Sequence, residues 1–505
     1  MSTLKKFAGQ TAIYGVSTII SRLLGFILTP FYISVFPAKI YGIFTYMYSL
    51  ASMLSAVLAF GMETTFFRYS NKTDIDKDKV YNNSFIVIAS TSVVLLTVAL
   101  LFSRNFAQWM SGGGQTTIDD YASYIRYFIF ILIIDGISII PFARIRAEGK
   151  PLRYGMIKLI NVLTFVGLNL FFILLIPGII KGGGPLASYF SGWYKMEWIG
   201  YVFISNLIAS AVTLLLLIPE LLKLKLRADW SLIRDMFAYS FPVLIANISF
   251  IINENVDKIF LKALLPPIEG ILQVGIYGAC AKIAIFLSIF IQAFRLGAEP
   301  FFFSHEKNKN SGDNYATIMN YFVIAISIIF VALVANIEVL KIWIRSEDPE
   351  QRDIYWAGLK VVPILLFGYV SLGIYMNLSI WYKLSDQTRF GLYISGVGAL
   401  LTIVMNLLFI PKYGYIASAW ISLAAYTSMM VLSYILGQKN YPIPYNLKKN
   451  LSYIAVSILL VVLSFNVFDR NLLIGNALLF VFLLGTFLIE RKALFAILHG
   501  NSHNK

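Results

Sequence analysis

The chain has 505 residues, 58% of them hydrophobic and only 13% charged, with a mean hydropathy of +0.74. Soluble domains carry about 45–50% apolar and about 25% charged residues, so this excess cannot fit a soluble core and is read as membrane spans. The net charge of +15 is then a topology signal first, and no nucleic-acid partner is expected.

At about 20 apolar residues per span, fourteen segments are expected. They lie near residues 11–34, 42–66, 82–102, 121–142, 157–177, 199–219, 238–265, 275–296, 316–340, 356–380, 390–410, 414–437, 450–468 and 472–489. With the N-terminus inside, 26 of the 41 Lys and Arg fall in inner segments, which favours both termini in the cytoplasm. The opening MSTLKKFAGQ lacks an A-x-A cleavage site before its apolar run and is read as the start of a span. The connections are short, and the longest outer ones, near 103–120 and 177–198, carry glycine runs (Gly112 to Gly114, Gly182 to Gly184) that read as flexible loops. No external catalytic domain is expected. Prolines within spans, Pro30, Pro141, Pro242, Pro300 and Pro363, are candidate kinks.

Several chemistries fall away. The single cysteine, Cys280, allows neither an internal disulfide nor a thiolate cluster. His305, His499 and His503 all lie outside the spans, and no phosphate-binding loop of the G-x-x-x-x-G-K-[ST] type occurs. Neither a metal nor a cofactor is expected, with a proton or sodium ion as the only small species that in-span acids could couple.

The spans also repeat. At an offset of 236 residues, Arg22 falls on Lys258, Tyr41-Gly42 on Tyr277-Gly278, Glu63 on Glu299, and Arg153-Tyr154-Gly155 on Arg389-Phe390-Gly391. The period covers six spans, an even number, so both copies enter the membrane in the same direction. The expected architecture is an all-α polytopic membrane protein. An N-lobe (residues 1–230, spans 1 to 6) and a C-lobe (231–446, spans 7 to 12) face each other, followed by spans 13 and 14 with a tail (447–505).

Charges inside spans mark the candidate site, because an intramembrane ion costs roughly 2.5–3.5 kcal/mol on insertion scales and needs a cavity or a partner. Arg22 sits near the middle of the first span. Span 7 carries Asn253, Glu254, Asn255, Asp257 and Lys258, where Glu254, Asp257 and Lys258 share one helical face. This face either lines the cavity or neutralises itself as a Glu-Lys pair. Lys282 and Arg126 add positive charge in the outer halves of spans 8 and 4. Asp135, in span 4, is a coupling candidate or the partner of a base. Glu63 and Glu299 sit near Arg68 and Arg295 and read as gate or helix-end salt bridges. The expected substrate contacts are therefore Arg22, Lys258, Lys282, Arg126, Asn253 and Asn255, and the coupling or gate candidates Asp135, Glu254, Asp257, Glu63 and Glu299.

The first span, Ser17-Thr-Ile-Ile-Ser21-Arg22-Leu-Leu-Gly25-Phe26, followed by Thr29-Pro30-Phe31-Tyr32 and Tyr41-Gly42, resembles the opening of the oligosaccharide flippases of the MOP superfamily. These are the Wzx-type polysaccharide translocases, related to the lipid II flippase MurJ and to MATE drug exporters. The resemblance implies alternating-access transfer of an undecaprenyl-pyrophosphate-linked oligosaccharide, such as an O-antigen, capsule or exopolysaccharide unit, to the outer leaflet of the cytoplasmic membrane. It implies no enzyme activity, and as partners the lipid-linked oligosaccharide, membrane lipid, and polysaccharide polymerase with chain-length or export proteins. Arg22 matches the family's SR-x-x-GF motif and takes on its role toward the anionic head. Lipid II flippases carry a further Arg-Asp pair after the Gly-Phe, where this chain has Ile27-Leu28-Thr29-Pro30, which favours the polysaccharide branch. A cation-coupled drug exporter and a lipid II flippase remain the alternatives. The in-span acids argue against a uniformly cationic lumen.

Overall fold

The computed structural model describes residues 27–72, 75–111, 116–304, 311–385 and 387–498. Among these the regular structure is helical and no strand occurs. This follows from the solvent: hydrocarbon leaves backbone groups no partner but their own helix. The helices that matter below are α1 (Ala38–Ala59), α2 (Met62–Ser70), α3 (Lys77–Leu101), α4 (Ile118–Ala147), α5 (Pro151–Leu170), α6 (Gly200–Leu216), α7 (Trp230–Leu264) and α8 (Pro267–Ser304). They continue with α9 (Ser311–Ala335), α10 (Val362–Leu378), α11 (Arg389–Tyr413), α12 (Tyr415–Asn440), α13 (Leu447–Val462) and α14 (Leu472–Leu498). Twelve helical stretches among the described residues are long and apolar enough to cross a membrane. They match the expected segments apart from the sixth, where α6 has 17 residues, and the first, of which only 27–34 fall among the described residues.

Local chemistry sets the ends. Asp76 caps α3 by accepting the Asp78 amide at 2.9 Å, and Thr117 caps α4 by accepting the Asp120 amide at 3.1 Å. Asp229 does the same for α7 through Leu232, and Asn446 for α13 through Lys449. Between α1 and α2 the chain turns on Phe60 and Gly61, both at positive φ. A Cβ on Gly61 would also press against the Ser240 carbonyl oxygen of α7, at 2.9 Å.

Packing divides the chain into two compact units: Met1–Ala279 with Ser346–Tyr355 and Gly391–Ile421, and Cys280–Arg345 with Trp356–Phe390 and Ser422–Lys505. In the first, α1 packs on α7, α6 on α4 and α5, and α3 on α4. The outer end of α1 meets the start of α8 backbone to backbone, where Gly42 faces the Ile271 carbonyl and Gly275 faces the Ala38 carbonyl. Tyr32 donates a buried 2.9 Å hydrogen bond to Asn169 of α5. In the second unit α9 is the centre, packed by α10, α13 and α14. Asn336, just past α9, and Asn476 of α14 exchange amide hydrogen bonds at 3.2 and 3.1 Å, and Gly475 lies on the Ala335 backbone.

One expectation is corrected. Residues 177–198 are not a featureless loop: a short helix (Pro185–Ser191) follows Gly183 and Gly184, both at positive φ. Beyond it Tyr194 and Tyr201 stack at 4.8 Å, and Tyr201 stacks on Phe172 at 5.2 Å. Aromatic stacking orders what glycine content alone left open. Pro363 follows a 3₁₀ turn (Ala357–Val361) that interrupts the helical stretch Pro349–Leu384, the position of a candidate kink.

Candidate functional site

The first unit encloses a polar cavity of about 380 Å³ among α1, α2, α4, α5 and α6. Each helix contributes one face. α5 presents Tyr154, Lys158 and Asn161, and α6 presents Asn206, Ser210 and Thr213, both at i, i+4, i+7. α4 contributes Leu132, Asp135, Ile139, Phe142 and Arg146 at the same periodicity, α1 adds Ser55 and Leu58, and α2 adds Glu63.

The polar groups hold one another in place. Asn161 donates to the Thr213 hydroxyl at 2.9 Å, and Asn206 donates to the Tyr48 hydroxyl at 2.9 Å. Asp135 is hydrogen-bonded to Ser210 and lies within electrostatic reach of Lys158. Although helices surround it, its side chain is open to the cavity. The Lys158 ammonium stands 4.4 Å from the Phe142 ring centroid. Toward the end that the charge bias places inside, Glu63 pairs with Arg146, whose guanidinium lies 4.8 Å from the Phe67 ring. The Arg146 Nε is buried and makes no hydrogen bond among the described residues. Among the described residues two carboxylates and two cations thus line the cavity, and their formal charges sum to zero.

Arg146 also lines a second cavity, of about 660 Å³, between the ends of α2, α3 and α4. There Arg144 bonds Asp78 at 3.0 Å and Glu148 at 2.9 Å, and Lys150 bonds Glu148 at 2.6 Å. Partial burial disfavours the Glu148 carboxylate. The hydrogen bonds from Lys150 and Arg144 and the charge of Lys223 outweigh that and hold it at about 2. Among the described residues, no three metal-ligating side chains converge.

A family model described as polysaccharide biosynthesis protein matches residues 7–298, which include every residue of both cavities. The chain belongs to that family. This polysaccharide biosynthesis protein also matches the MatE family model over residues 242–408, and it is a membrane flippase or transporter of the MOP superfamily. No curated protein sequence matches it. Solved structures share its fold. A lipid II flippase, MurJ, in an inward closed conformation superposes with a TM-score of 0.70 at 14% identity, over 96% of this chain and 100% of that one. An inward-facing multidrug resistance MATE transporter gives 0.63 at 14% identity over 88% and 98%. An outward-facing multidrug resistance MATE transporter gives 0.55 at 11% identity over 85% and 95%. The matched families are transporters and flippases rather than enzymes.

Within this family member the expected site residues fall in separate places. Arg22 lies outside the described residues, and so does the side chain of Glu299 in α8. Asp135 and Glu63 come together in the polar cavity. The partner of Glu63 is Arg146 rather than Arg68: five residues separate 63 from 68, which puts them on different helix faces, and Arg68 stacks on Tyr239 at 4.1 Å instead. Arg126 is exposed and sits nine residues from Asp135, about half a turn around α4, so it points away from the cavity. Lys282 is half-buried on α8.

The α7 cluster is tied to neighbouring helices. The Lys258 ammonium bonds Asp257 at 2.9 Å and the Glu254 carbonyl at 2.6 Å, and lies 5.5 Å from the Tyr277 ring. Self-neutralisation occurs, but through buried Asp257, while the Glu254 side chain is exposed. Asn253 accepts from Thr402 of α11 at 2.9 Å, and Asn255 reaches Ser52 of α1 at 3.4 Å.

Sequence reasoning missed Lys158, Arg146, Tyr154, Asn161, Asn206, Ser210 and Thr213. Arg146 falls in the expected connection between spans 4 and 5, and Lys158 is the second residue of the expected fifth span. The available signal was the polar i, i+4, i+7 spacing on α5 and α6.

Proposed function

We propose that this protein moves an undecaprenyl-pyrophosphate-linked oligosaccharide, such as an O-antigen, capsule or exopolysaccharide repeat unit, from the inner to the outer leaflet of the cytoplasmic membrane. The observation that carries this reading is the cavity of about 380 Å³ lined by amides, hydroxyls and paired charges within apolar helices of a polysaccharide biosynthesis family member. A hydrated glycan and its pyrophosphate cannot cross ~30 Å of hydrocarbon unaided. A polar interior shields the head group while the polyprenyl tail stays in lipid. No bond is made or broken, so the protein is not an enzyme and needs no cofactor.

Two lobes (1–230 and 231–446) rock to expose the path alternately, and spans 13 and 14 (447–505) flank them, with both termini cytoplasmic. Arg22, Lys258 and Lys282, with Asn253 and Asn255, contact the pyrophosphate or glycan through charge-assisted and amide hydrogen bonds. Asp135, Glu254, Asp257, Glu63 and Glu299 are the gate or coupling residues. Direction comes from a proton or sodium gradient, or from consumption of the product outside by a polymerase and its export partners.

Depleting the protein in its native host tests this reading, with polyprenyl-pyrophosphate-linked glycans measured by mass spectrometry. Accumulation of a complete lipid-linked repeat unit is expected. The MatE match over residues 242–408 and the place of Asp135 in the cavity favour a second reading, a cation-coupled exporter. Unchanged lipid-linked glycans with heightened sensitivity to cationic drugs would establish it instead. A rise in lipid-linked peptidoglycan precursor alone would point to lipid II.

A further inference from the structure

We infer that the cavity among α1, α2, α4, α5 and α6 is a subsite for one or two uncharged sugar units of the transported glycan, and does not hold the pyrophosphate. This rests on the flippase reading above. The volume, about 380 Å³, lies at the small end of the ~300–1,000 Å³ typical of small-molecule sites. Charge decides the ligand class. Among the described lining residues Asp135 faces Lys158 and Glu63 pairs with Arg146, so these offer neither the surplus cation that an anionic pyrophosphate requires nor the surplus carboxylate that a lipophilic cation requires.

What remains is neutral and directional. Asn161 and Asn206 are fixed by Thr213 and Tyr48, which leaves their amide oxygens and second N–H groups for vicinal hydroxyls. The Asp135 carboxylate, hydrogen-bonded to Ser210, accepts from a sugar O–H with its remaining lone pairs. On another wall the half-buried Tyr154, held edge to face by Phe142 with centroids 5.4 Å apart, gives an aromatic ring surface for the C–H face of a pyranose.

Among the described residues the second repeat offers less room and a different lining. At the offset of 236, Asp135 falls on Ser371, which is bonded to Thr427 at 3.1 Å, and Ser55 and Leu58 fall on Ile291 and Phe294. The cavity lined by Ile291 and Phe294 has about 10 Å³, barely the space of one water. Sugar recognition therefore resides in the first repeat.

Ser55 lines the cavity and is exposed there, whereas Cys280, the single native cysteine, is buried. In full-length Ser55→Cys carrying Cys280→Ala, reconstituted in lipid, the rate of maleimide labelling reports occupancy. Lipid-linked oligosaccharide extracted from the host is expected to slow labelling about tenfold at ten times its dissociation constant. Sugar-free undecaprenyl pyrophosphate and the lipophilic cation tetraphenylphosphonium should leave the rate unchanged. Equal slowing by the sugar-free lipid would make this an anion site and overturn the inference. No slowing by any probe, with oligosaccharide transport intact, would overturn it while leaving the flippase reading standing. Slowing by tetraphenylphosphonium, with no oligosaccharide transport, would overturn both. As an independent variant, Asn161→Ala should raise the concentration for half-maximal transport roughly three- to tenfold, the effect of one lost hydrogen bond, at unchanged maximal rate. An unchanged half-maximal concentration would contradict the assignment.

Discussion

At the residue scale the ion pairs differ in what they contribute, and burial ranks them. Glu63 and Arg146 both keep substantial contact with the polar spaces around them, their side chains 47% and 31% exposed. Such a pair is worth ~0–1 kcal/mol. Glu220 is fully buried, and its Oε2 bonds Arg153 at 2.8 Å. Removing Arg153 strands a buried carboxylate, which costs about 3–5 kcal/mol. Arg153→Ala should therefore lower the melting temperature in detergent far more than Glu63→Gln does. Equal shifts would contradict the ranking. Glu148 gives a pH signature of its own. Its folded value of about 2 lies below the ordinary 4.5, so its contribution is full above about 4.5 and is lost as the pH falls toward 2. Between these limits Glu148→Gln should lose stability less steeply than the unsubstituted protein, and parallel slopes would exclude the pair as the cause. In sequence, Asp135 was legible because a short in-span carboxylate has to find a cavity or a base. Its neighbour Lys158 was not, because it is the second residue of the expected span 157–177, where a lysine reads as an inner flank. The helix instead begins at Pro151 and carries Lys158 two turns inward.

At the element scale the close contact of α1 with α8 depends on absent side chains. A Cβ on Gly42 would collide with the Ile271 carbonyl oxygen, and one on Gly275 with that of Ala38, both rigid backbone atoms. A Cβ on Gly167 of α5 meets nothing within 4 Å. Gly42→Ala should therefore destabilise the protein by more than 1 kcal/mol, of the order of an overpacked core (about 1–3 kcal/mol), whereas Gly167→Ala should be neutral or slightly stabilising. The check is thermal unfolding of the two variants side by side, and equal behaviour would refute the backbone contact. Hydropathy located these helices because hydrocarbon imposes a length and a composition on every span. It could not rotate them: α4 exposes Arg126 on one side and turns Asp135 into the cavity on the other, and only packing decides which side faces what. The structured segment after Gly183 and Gly184 was hidden for a related reason. Its order comes from Tyr194, Tyr201 and Phe172 stacking together, a tertiary event with no local sequence signature.

At the scale of the whole molecule, the two compact units differ in their interiors. The offset of 236 residues was visible in the paired landmarks Tyr41-Gly42 and Tyr277-Gly278. The inequality of the two copies was not, since Ser371 in place of Asp135 is one polar residue for another until the surrounding volumes are known. The first unit holds a polar cavity of about 380 Å³, and in the second a space of about 10 Å³ is lined by Ile291 and Phe294 among others. The central claim is that this interior carries a lipid-linked glycan across the bilayer. The most direct measurement is the rate at which host lipid-linked oligosaccharide becomes accessible to a membrane-impermeant glycosidase or lectin on the far side of proteoliposomes, compared for the unsubstituted protein, Arg22→Ala and protein-free vesicles. The account predicts rapid translocation by the unsubstituted protein and, for a stably inserted Arg22→Ala, a rate near that of protein-free vesicles. A rate for the unsubstituted protein equal to that of protein-free vesicles would contradict it.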